Sequence, residues 1–527
     1  MINQQSQLEL KPRSVVSCFI FSVEKANSQV ALFRRSAKVR TYQHHLAPIS
    51  GSIDAHESPL AAAWREIKEE TSLTPQQLEF WRHGKPYSFS DVNVGRKWTV
   101  HPFAFRLRNT EEDDLHDELI KINWEHDSWE WHDSGKVVDD DSFGAVPYLA
   151  KSLGRVCFEK DMNRGASEAL ISCLEELHVN RQSGDHELTC IALKGFRDVL
   201  VHLQGDPKWW ETTRMTAWHI WKNSRERMNI GTLNALLGTL GDIEDVMECN
   251  LEDETRWDLT LAVLDHHLEA HRMLPSRIQD SFIEYLQTQF ISAENAQSRQ
   301  KLTILTLSAN ATIRDSLLDA IASTPISHLD IHILESRPLF EGASMASSLL
   351  AESQAKLISS PDQIVKVTVH TDASAALAST NVDLVLLGAD LISSSGCVSS
   401  KTGSLPAVLS AKYISPNAKV LILSGLEKVS DRDRREDCHK LQECDPAEVM
   451  SSWLHSGIKG VNILHGLRDF HPGSSKCTTH VENVDVEWVP ANLIDGFVCE
   501  DGTFDTATIQ YKAQEVKEMA DRYFGNL

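Results

Sequence analysis

The stretch GSIDAHESPLAAAWREIKEETSL, residues 51–73, constrains this chain more than any other. Pro59 suits the first turn of a helix and the Ala61-Ala62-Ala63 run favours one, so residues 59–71 are predicted to be helical. Three and four residues apart, Glu66, Glu69 and Glu70 then crowd one helical face. Like charges at that spacing cost about 0.2–0.5 kcal/mol per pair unless something offsets them. Arg65 offsets only part of the charge. A hard divalent cation such as Mg²⁺ would offset the rest, since it takes carboxylate oxygens and bridges them to substrate phosphates. The alternative is an exposed acidic helix with no ligand.

Around this helix, Val15–Ser22, Gln29–Arg34 and Trp98–Arg106 read as strands, and Gly51 as the close of the loop that feeds the helix. The spacing itself runs Gly51, five residues, Glu57, seven residues, then Arg65-Glu66-Ile67-x-Glu69-Glu70. It resembles the Nudix box of pyrophosphohydrolases at every position but one, because Ser72 stands where that family usually has glycine. The resemblance implies that Glu66, Glu69 and Glu70 bind Mg²⁺ (or Mn²⁺) or activate water, that Arg65 orients them, and that Gly51 can lend a carbonyl to the metal. The reaction implied is hydrolysis of a nucleoside diphosphate linked to another moiety. Further on, Glu125-His126-Asp127 and Trp131 resemble a late Glu-His-x-x-x-x-Trp segment of many Nudix domains. Glu125 and Asp127 are therefore candidates for a further acidic ligand or base, with a solvated acidic loop as the alternative. This resemblance covers residues 12–135.

The rest of the chain is bounded by composition. A length of 527 residues exceeds one ordinary core, and 41% apolar residues suffice for globular folding. A net charge of −23 argues against a general binder of nucleic acid or of anionic membranes. No run approaches a membrane span, and no apolar segment follows MINQQSQLELKPRS. The ten cysteines form no CxxC pair; Cys438-His439 with Cys444 is too sparse for a zinc site, and the expectation is reduced thiols in the cytosol.

Asp139-Asp140-Asp141 and the residues to Pro147 read as a first linker, followed by about 130 residues of amphipathic helix. From Lys301 the texture changes. Leu302–Leu307, Leu329–Leu334, Ile364–His370, Val382–Leu387 and Ala418–Leu423 are short β-rich runs between helical segments, the pattern of a parallel sheet with helices on both faces. Such sheets bind ligands beyond the carboxyl ends of their strands. There the chain places Ser308 and Asn310, Glu335-Ser336-Arg337-Pro338, Asp372, and Gly388-Ala389-Asp390. Asp372, ahead of an Ala-rich helix, also reads as a cap.

A second resemblance rests on ESRPLFEGASMA, the Asp372 segment, VDLVLLGADLI, SKTGSLPAVLSAK and the ending VEWVPANLIDGFVCEDG. With Arg164-Gly165-Ala166 and Arg214-Met215-Thr216-Ala217 upstream, they resemble three groups that share a fold. These are the regulatory subunits of translation initiation factor 2B, methylthioribose-1-phosphate isomerase and ribose-1,5-bisphosphate isomerase. The resemblance spans residues 155–527. It implies proton transfer between a cysteine and an aspartate in the isomerases; this chain keeps Asp390 but has Ser308 at the cysteine position, as the initiation-factor subunits do. Serine is the far weaker acid. Lys401 and Gly403 of the Asn-Lys-x-Gly-Thr segment are kept, with Ser400 and Ser404 replacing Asn and Thr. Arg164, Arg214 and Lys401 remain candidates for sugar-phosphate binding; the alternative for the arginines is structural ion pairing.

The expected architecture is a multidomain α/β chain. A Nudix α/β/α sandwich (12–138) is followed by a linker (139–154), a helical domain (155–300) and a Rossmann-like parallel sheet with helices on both faces (301–527). The expected function is Mg²⁺-dependent pyrophosphohydrolysis of a nucleoside-diphosphate-type small molecule. It is joined to a module that binds a phosphometabolite and forms a homodimer or larger homo-oligomer, in a cytoplasmic protein without nucleic-acid or membrane partners. The alternatives are a non-catalytic regulatory protein and a sugar-phosphate aldose–ketose isomerase.

Overall fold

A computed structural model of the chain describes residues 10–22, 29–108, 119–180, 183–224, 229–290, 301–357, 363–433, 444–461, 464 and 481–527. Cys438 and His439 lie outside them. The chain divides into two compact units, one holding residues 1–229, 243–264 and 523–527, the other residues 230–242 and 265–522.

In the first unit, β1 (Lys11–Phe21), β2 (Gln29–Arg35), β3 (Leu46–Ala47), β4 (Ile49–Ser52), β5 (Leu78–His83), β6 (Tyr87–Asp91), β7 (Arg96–Leu107) and β8 (His126–Asp133) form one mixed sheet. Its spine runs β3-β2-β1-β7-β5, with β4 paired to β1, β6 to β7 and β8 to β2. Only β1 and β7 run parallel among these pairs.

The sequence of β1 alternates two apolar sets, and each set buries a different layer. Val16, Cys18 and Ile20 join Phe33, Phe103 and Phe105 beneath Ala62, Ala63 and Ile67 of helix α1 (Pro59–Thr71). Phe19 and Phe21 face the other way, onto Leu149, Leu153 and Val156 of helix α2 (Leu149–Val156). Residues 139–154 thus include most of a helix that covers the second face of the sheet. Each fully buried Phe or Ile stabilises by about 1.5–3 kcal/mol.

Three more helices, α3 (Arg164–Val179), α4 (Asp185–Val201) and α5 (Trp209–Asn223), belong to the first unit. The sheet is met at β5 by α5 and, through His178 paired with Glu79, by α3. The Arg82–Glu159 ion pair there is buried, and His83 N donates to Asn223 Oδ1 at 2.7 Å. Helices α6 (Asn229–Glu248) and α7 (Asp253–Arg272) contribute residues to both units.

The second unit is built on β9 (Lys301–Leu307), β10 (His328–Leu334), β11 (Ile364–His370), β12 (Leu384–Leu387), a three-stranded side sheet of β13 (Leu391–Ile392), β14 (Val398–Lys401) and β16 (Val486–Val489), then β15 (Lys419–Leu423), β17 (Gly496–Cys499) and β18 (Gly502–Phe504). The main sheet runs β11-β10-β9-β12-β15-β17-β18 and is parallel except for β18. Both faces are apolar, as the unbroken runs required. Ile304, Ile331, Leu386 and Leu421 pack against α8 (Leu274–Phe290), α9 (Ala311–Ser323) and α10 (Glu341–Leu357). Leu305, Val385, Val420 and Phe497 pack against α11 (Ser404–Ile414) and α13 (Thr506–Phe524); α12 (Pro446–His455) precedes the latter in the chain. An N-terminal mixed sheet with helices, a central helical region along the chain and a C-terminal sheet with flanking helices match the expected architecture. No helix among the described residues is long and apolar enough to cross a membrane.

Candidate functional site

Helix α1 starts and stops on local signals. Ser58 caps it by accepting from Ala61 N at 3.2 Å, and Pro59 occupies its first turn. It ends on Ser72, which takes the left-handed conformation (φ 61°, ψ 6°) with its N–H on Lys68 O. Serine therefore makes the turn that glycine makes at lower cost.

Along α1 the charged residues are sorted by burial. Glu69 is 58% exposed, whereas Glu70 is 2% exposed. Arg65 is a hub. Its Nε and Nη2 grip both oxygens of Glu57 at 2.9 Å, Nη1 reaches Glu66 Oε1 at 2.6 Å, and Nη2 also donates to Ser52 O at 2.9 Å. The bidentate grip holds the Glu57 carboxyl below its usual pKa, so part of the arginine's charge is committed there. Burial pushes Glu66 up, against Arg65, with Glu69 and Glu125 adding to the rise. Glu70 is pushed further up, by burial first and then by Glu125 and Glu66.

Glu70 Oε2 lies 2.5 Å from His126 Nε2 in a buried pair. Its other oxygen, Oε1, is buried and has no hydrogen-bond partner, although the nearby Ser50 amide favours the charged form. Burial also holds His126 neutral, so the imidazole does not supply the missing charge.

Gly51 is not in a loop. It lies in β4, opposite Val16 of β1, and a Cβ there would come 1.8 Å from the Glu66 carboxyl carbon. Any larger residue would displace that carboxylate. The 125–131 segment is likewise a strand rather than a loop from His126 onward. Asp127 Oδ2 sits 3.8 Å from His44 Nδ1 with both side chains exposed, while Glu125 acts on Glu66 and Glu70 through its charge. The residue that sequence reasoning passed over is His126. Simple alternation from Trp129 and Trp131 puts it on the opposite face. However, Arg34 pairs with Ser128 and Arg35 with His126, so Asp127 is an extra residue in the ladder. That bulge turns His126 toward Phe33 and α1. The incoming chain also satisfies the end of α1, with Lys121 N on Thr71 O at 3.0 Å and Asn123 N on Glu70 O at 3.1 Å.

These groups suit a hard cation. A buried carboxylate oxygen without a partner, a second carboxylate raised by burial and then by its acidic neighbours, and a glycine that leaves room for it all point the same way.

The candidates named for the C-terminal half fall in different units. Arg164 is fully in solvent and paired with Glu168 at 2.7 Å, and Arg214 Nη1 reaches Tyr523 O at 3.4 Å, both in the first unit. Ser308, Asp390 and Lys401 belong to the second. Lys401 Nζ is held by Asp485 at 2.5 Å and Glu341 at 2.8 Å. Burial lowers its pKa, but these two partners outweigh that and raise it. Ser308, in the left-handed region at φ 65°, donates through Oγ to Glu341 Oε2 at 3.2 Å. Asp390 N donates to Ser399 O. Asp372 accepts from Ser336 N and Arg337 N, which makes it a brace for the β10 turn. Glu487, from β16, accepts from Gly403 N at 2.5 Å and Leu405 N at 3.1 Å, at the N-terminus of α11.

Comparison with known proteins fits this division. The NUDIX domain family matches residues 11–150, and the Initiation factor 2 subunit family matches residues 265–506. The asymmetrical bis(5'-nucleosyl)-tetraphosphatase of Caenorhabditis elegans is 27% identical over 106 residues, covering 20% of this chain and 71% of that protein. Among solved structures, eIF2B beta from Chaetomium thermophilum is similar over 70% of this chain and 96% of its own, at 12% identity and a TM-score of 0.46. The tetrameric eIF2B beta2-delta2 complex from C. thermophilum has a chain similar over 67% and 96%, at 12% identity and 0.45. Translation initiation factor eIF-2B from Pyrococcus horikoshii OT3 is similar over 64% and 96%, at 15% identity and 0.40. The chain is an N-terminal Nudix domain fused to a C-terminal domain with the initiation factor 2B alpha/beta/delta-like fold.

Proposed function

We propose that the N-terminal domain is a Mg²⁺- or Mn²⁺-dependent hydrolase of a diphosphate bond in a nucleoside-diphosphate-type substrate. The observation that carries this reading is the buried, unpartnered Oε1 of Glu70 beside the crowded Glu66 carboxylate. Glu66, Glu69 and Glu70, with the Gly51 carbonyl, would hold the cation. When bound, it supplies charge stabilisation at the phosphate oxygens and a water of lowered pKa.

The chain's own groups do the rest. His126 fixes Glu70, Arg65 fixes Glu66 and Glu57, and the exposed Glu69 faces arriving substrate and solvent. Water oxygen bonds to phosphorus as the bridging P–O bond breaks; the water's proton goes to a carboxylate of the cluster and the leaving phosphate departs with the bridging oxygen. The test is phosphate release from a panel of nucleotide sugars, dinucleoside polyphosphates and nucleoside diphosphates, with and without Mg²⁺. Glu69→Gln or Glu70→Gln is expected to cut turnover by at least ~100-fold. No turnover on the whole panel, or variants equal to wild type, would remove the reading.

For the C-terminal domain the proposal is a non-catalytic module that pairs with further copies of the chain. Ser308 replaces an ionisable thiol with a group that already donates to Glu341, which disfavours isomerisation. Aldose–ketose turnover that vanishes in Asp390→Asn would overturn this.

A further inference from the structure

On the face of the first sheet that looks away from α1, a cavity of about 270 Å³ lies between β5, β7 and helix α3. Alternation sorts the two faces along β7. Phe105 packs beneath α1, so its neighbour Arg106 stands on the opposite side, as Ala104 does. On β5 a bulge does the sorting. Phe80 pairs with Phe105 and Arg82 with Ala104, which leaves Trp81 as an extra residue in the ladder. Trp81 and Arg82 therefore both reach the far face, where Trp81 packs with Phe21. The α1 carboxylates line no part of this cavity.

The bulge brings two guanidinium groups onto one indole. Arg106 Cζ lies 3.5 Å from the centre of the Trp81 ring, and Arg82 Cζ lies 4.3 Å from it. Each contact is favourable alone, but the two charges repel one another. Arg82 has one answer, the buried Glu159 carboxylate, 2.6 Å from its Nη1. Its Nε is buried without a hydrogen-bond partner. Arg106 has no such answer: among the described residues its side chain makes no hydrogen bond or ion pair.

Carboxylates stand close enough to have paired with it. Glu79 lies directly across the ladder from Arg106. Its carboxylate turns instead to His178 Nε2 on α3, at 2.9 Å. Glu175 lines the cavity from α3 and acts on Arg106 only through its charge. Burial lowers the Arg106 pKa, and the Arg82 charge lowers it further. A half-buried cation is normally paired. In a chain of net charge −23, this one is held open rather than short of partners.

We propose that this cavity binds a phosphate dianion, free or as a small phosphomonoester, on the unpaired edges of Arg106 and Arg82. Guanidinium N–H groups form a planar fork that matches phosphate oxygens two at a time. Trp81 and Leu174 give an ester's carbon arm an apolar wall. About 270 Å³ is small for a nucleotide and ample for a phosphate with a short arm. The site goes beyond the hydrolase reading and does not rest on it, since α1 packs on the other face. Its occupant joins β7 to α3, and so fastens the sheet to the helices of the same unit.

The experiment is calorimetry on the full chain in EDTA, which strips cations from the α1 carboxylates. Orthophosphate and glycerol 2-phosphate are the separate titrants. At least one is expected to bind, and the tighter of the two identifies the source of the phosphate group. Arg106→Met keeps a long stem on Trp81 but removes the fork, and is expected to weaken binding by at least ~10-fold. Arg106→Lys restores the charge without the fork and is expected to recover part of that loss. A purely structural arginine would lower the thermal midpoint in Arg106→Met and leave phosphate affinity where it was. Should Arg106→Met fail to fold, Glu175→Lys on the exposed side of α3 decides. It is expected to tighten orthophosphate by about 2–5-fold, by exchanging a repelling charge for an attracting one. Three results would overturn the proposal: no binding by either titrant, a folded Arg106→Met with unmoved affinity, or, where that variant does not fold, an unmoved Glu175→Lys.

Discussion

Two charged clusters in this chain are opposites. On α1, three carboxylates share one arginine that is already gripped by Glu57, and one buried oxygen has no partner. Around Lys401, one ammonium is shared by Asp485 and Glu341, while Glu487 sits on the amides at the N-terminus of α11. That helix end is where an external anion would otherwise bind. The first cluster is thus an excess of carboxylate, which the proposed reading assigns to a cation, and the second carries its own anions. On the proposed reading, the difference separates a site that takes a ligand from one whose ligand positions are filled from within the chain.

The largest effect that would break this contrast lies at His126. If it holds Glu70 for a cation, His126→Ala should weaken Mn²⁺ binding by about 10–100-fold, the usual range for a group that orients a metal ligand. His126→Gln, which keeps an N–H donor near the same place, should recover most of that affinity. Mn²⁺ titration followed by electron paramagnetic resonance measures both. A purely structural histidine would lower thermal stability in both variants without moving the affinity.

A second buried carboxylate isolates burial from metal chemistry. Burial, with Glu500 nearby, raises Glu427 to about 8, and His271 Nδ1 lies 3.2 Å away. Its folded pKa is above the unfolded one, so the folded state holds the extra proton in the interval between them. Stability is then full below the ordinary carboxylate range and falls as pH rises toward 8. A loss of roughly 2 kcal/mol between pH 5 and 8 is expected, about half of the full linkage value because of His271. Glu427→Gln should flatten the profile, as read from the thermal midpoint at each pH. An unchanged slope would show that burial alone does not set these carboxylates.

At the filled cluster, Glu341→Gln with Asp485→Asn should free Lys401 and raise affinity for a sugar phosphate by about tenfold, by restoring an unpaired cation. Calorimetry with ribose 5-phosphate reads the change. Tight binding by the wild type, through Lys401, would erase the contrast between the clusters.

Much of the first cluster was legible. Pro59, the alanines and the glutamate spacing are local signals, and the helix runs Pro59–Thr71 as read. Strand runs in both halves were legible for the same reason, since apolar periodicity records burial. His126 was not, because a one-residue bulge at Asp127 reverses the face that alternation assigns. From sequence alone Gly51 suggests a loop, as glycine beside serine does, whereas it lies in a strand and its lack of a Cβ leaves room for Glu66. The neutralising of Lys401 was hidden by distance, for Glu341 and Asp485 lie 60 and 84 residues away in sequence. Tyr148 follows a stretch whose Asp and Gly residues look like a linker; its place against the sheet comes from packing on Phe89 of β6.

The smallest effect tests the end of α1. Ser72→Gly should stabilise the first unit by about 1 kcal/mol, because φ 61° costs serine more than glycine. A rise of the thermal midpoint without change in Mn²⁺ affinity would show that the turn and the cation site are independent.

The most direct test of the central claim is a calorimetric titration of Mn²⁺ into the wild-type chain and into Glu70→Gln, before any substrate is added. A saturable site is expected in the wild type, and a loss of at least ~10-fold in affinity when Glu70 gives up its charge. Identical titrations of the two proteins, or no binding by either, would contradict it.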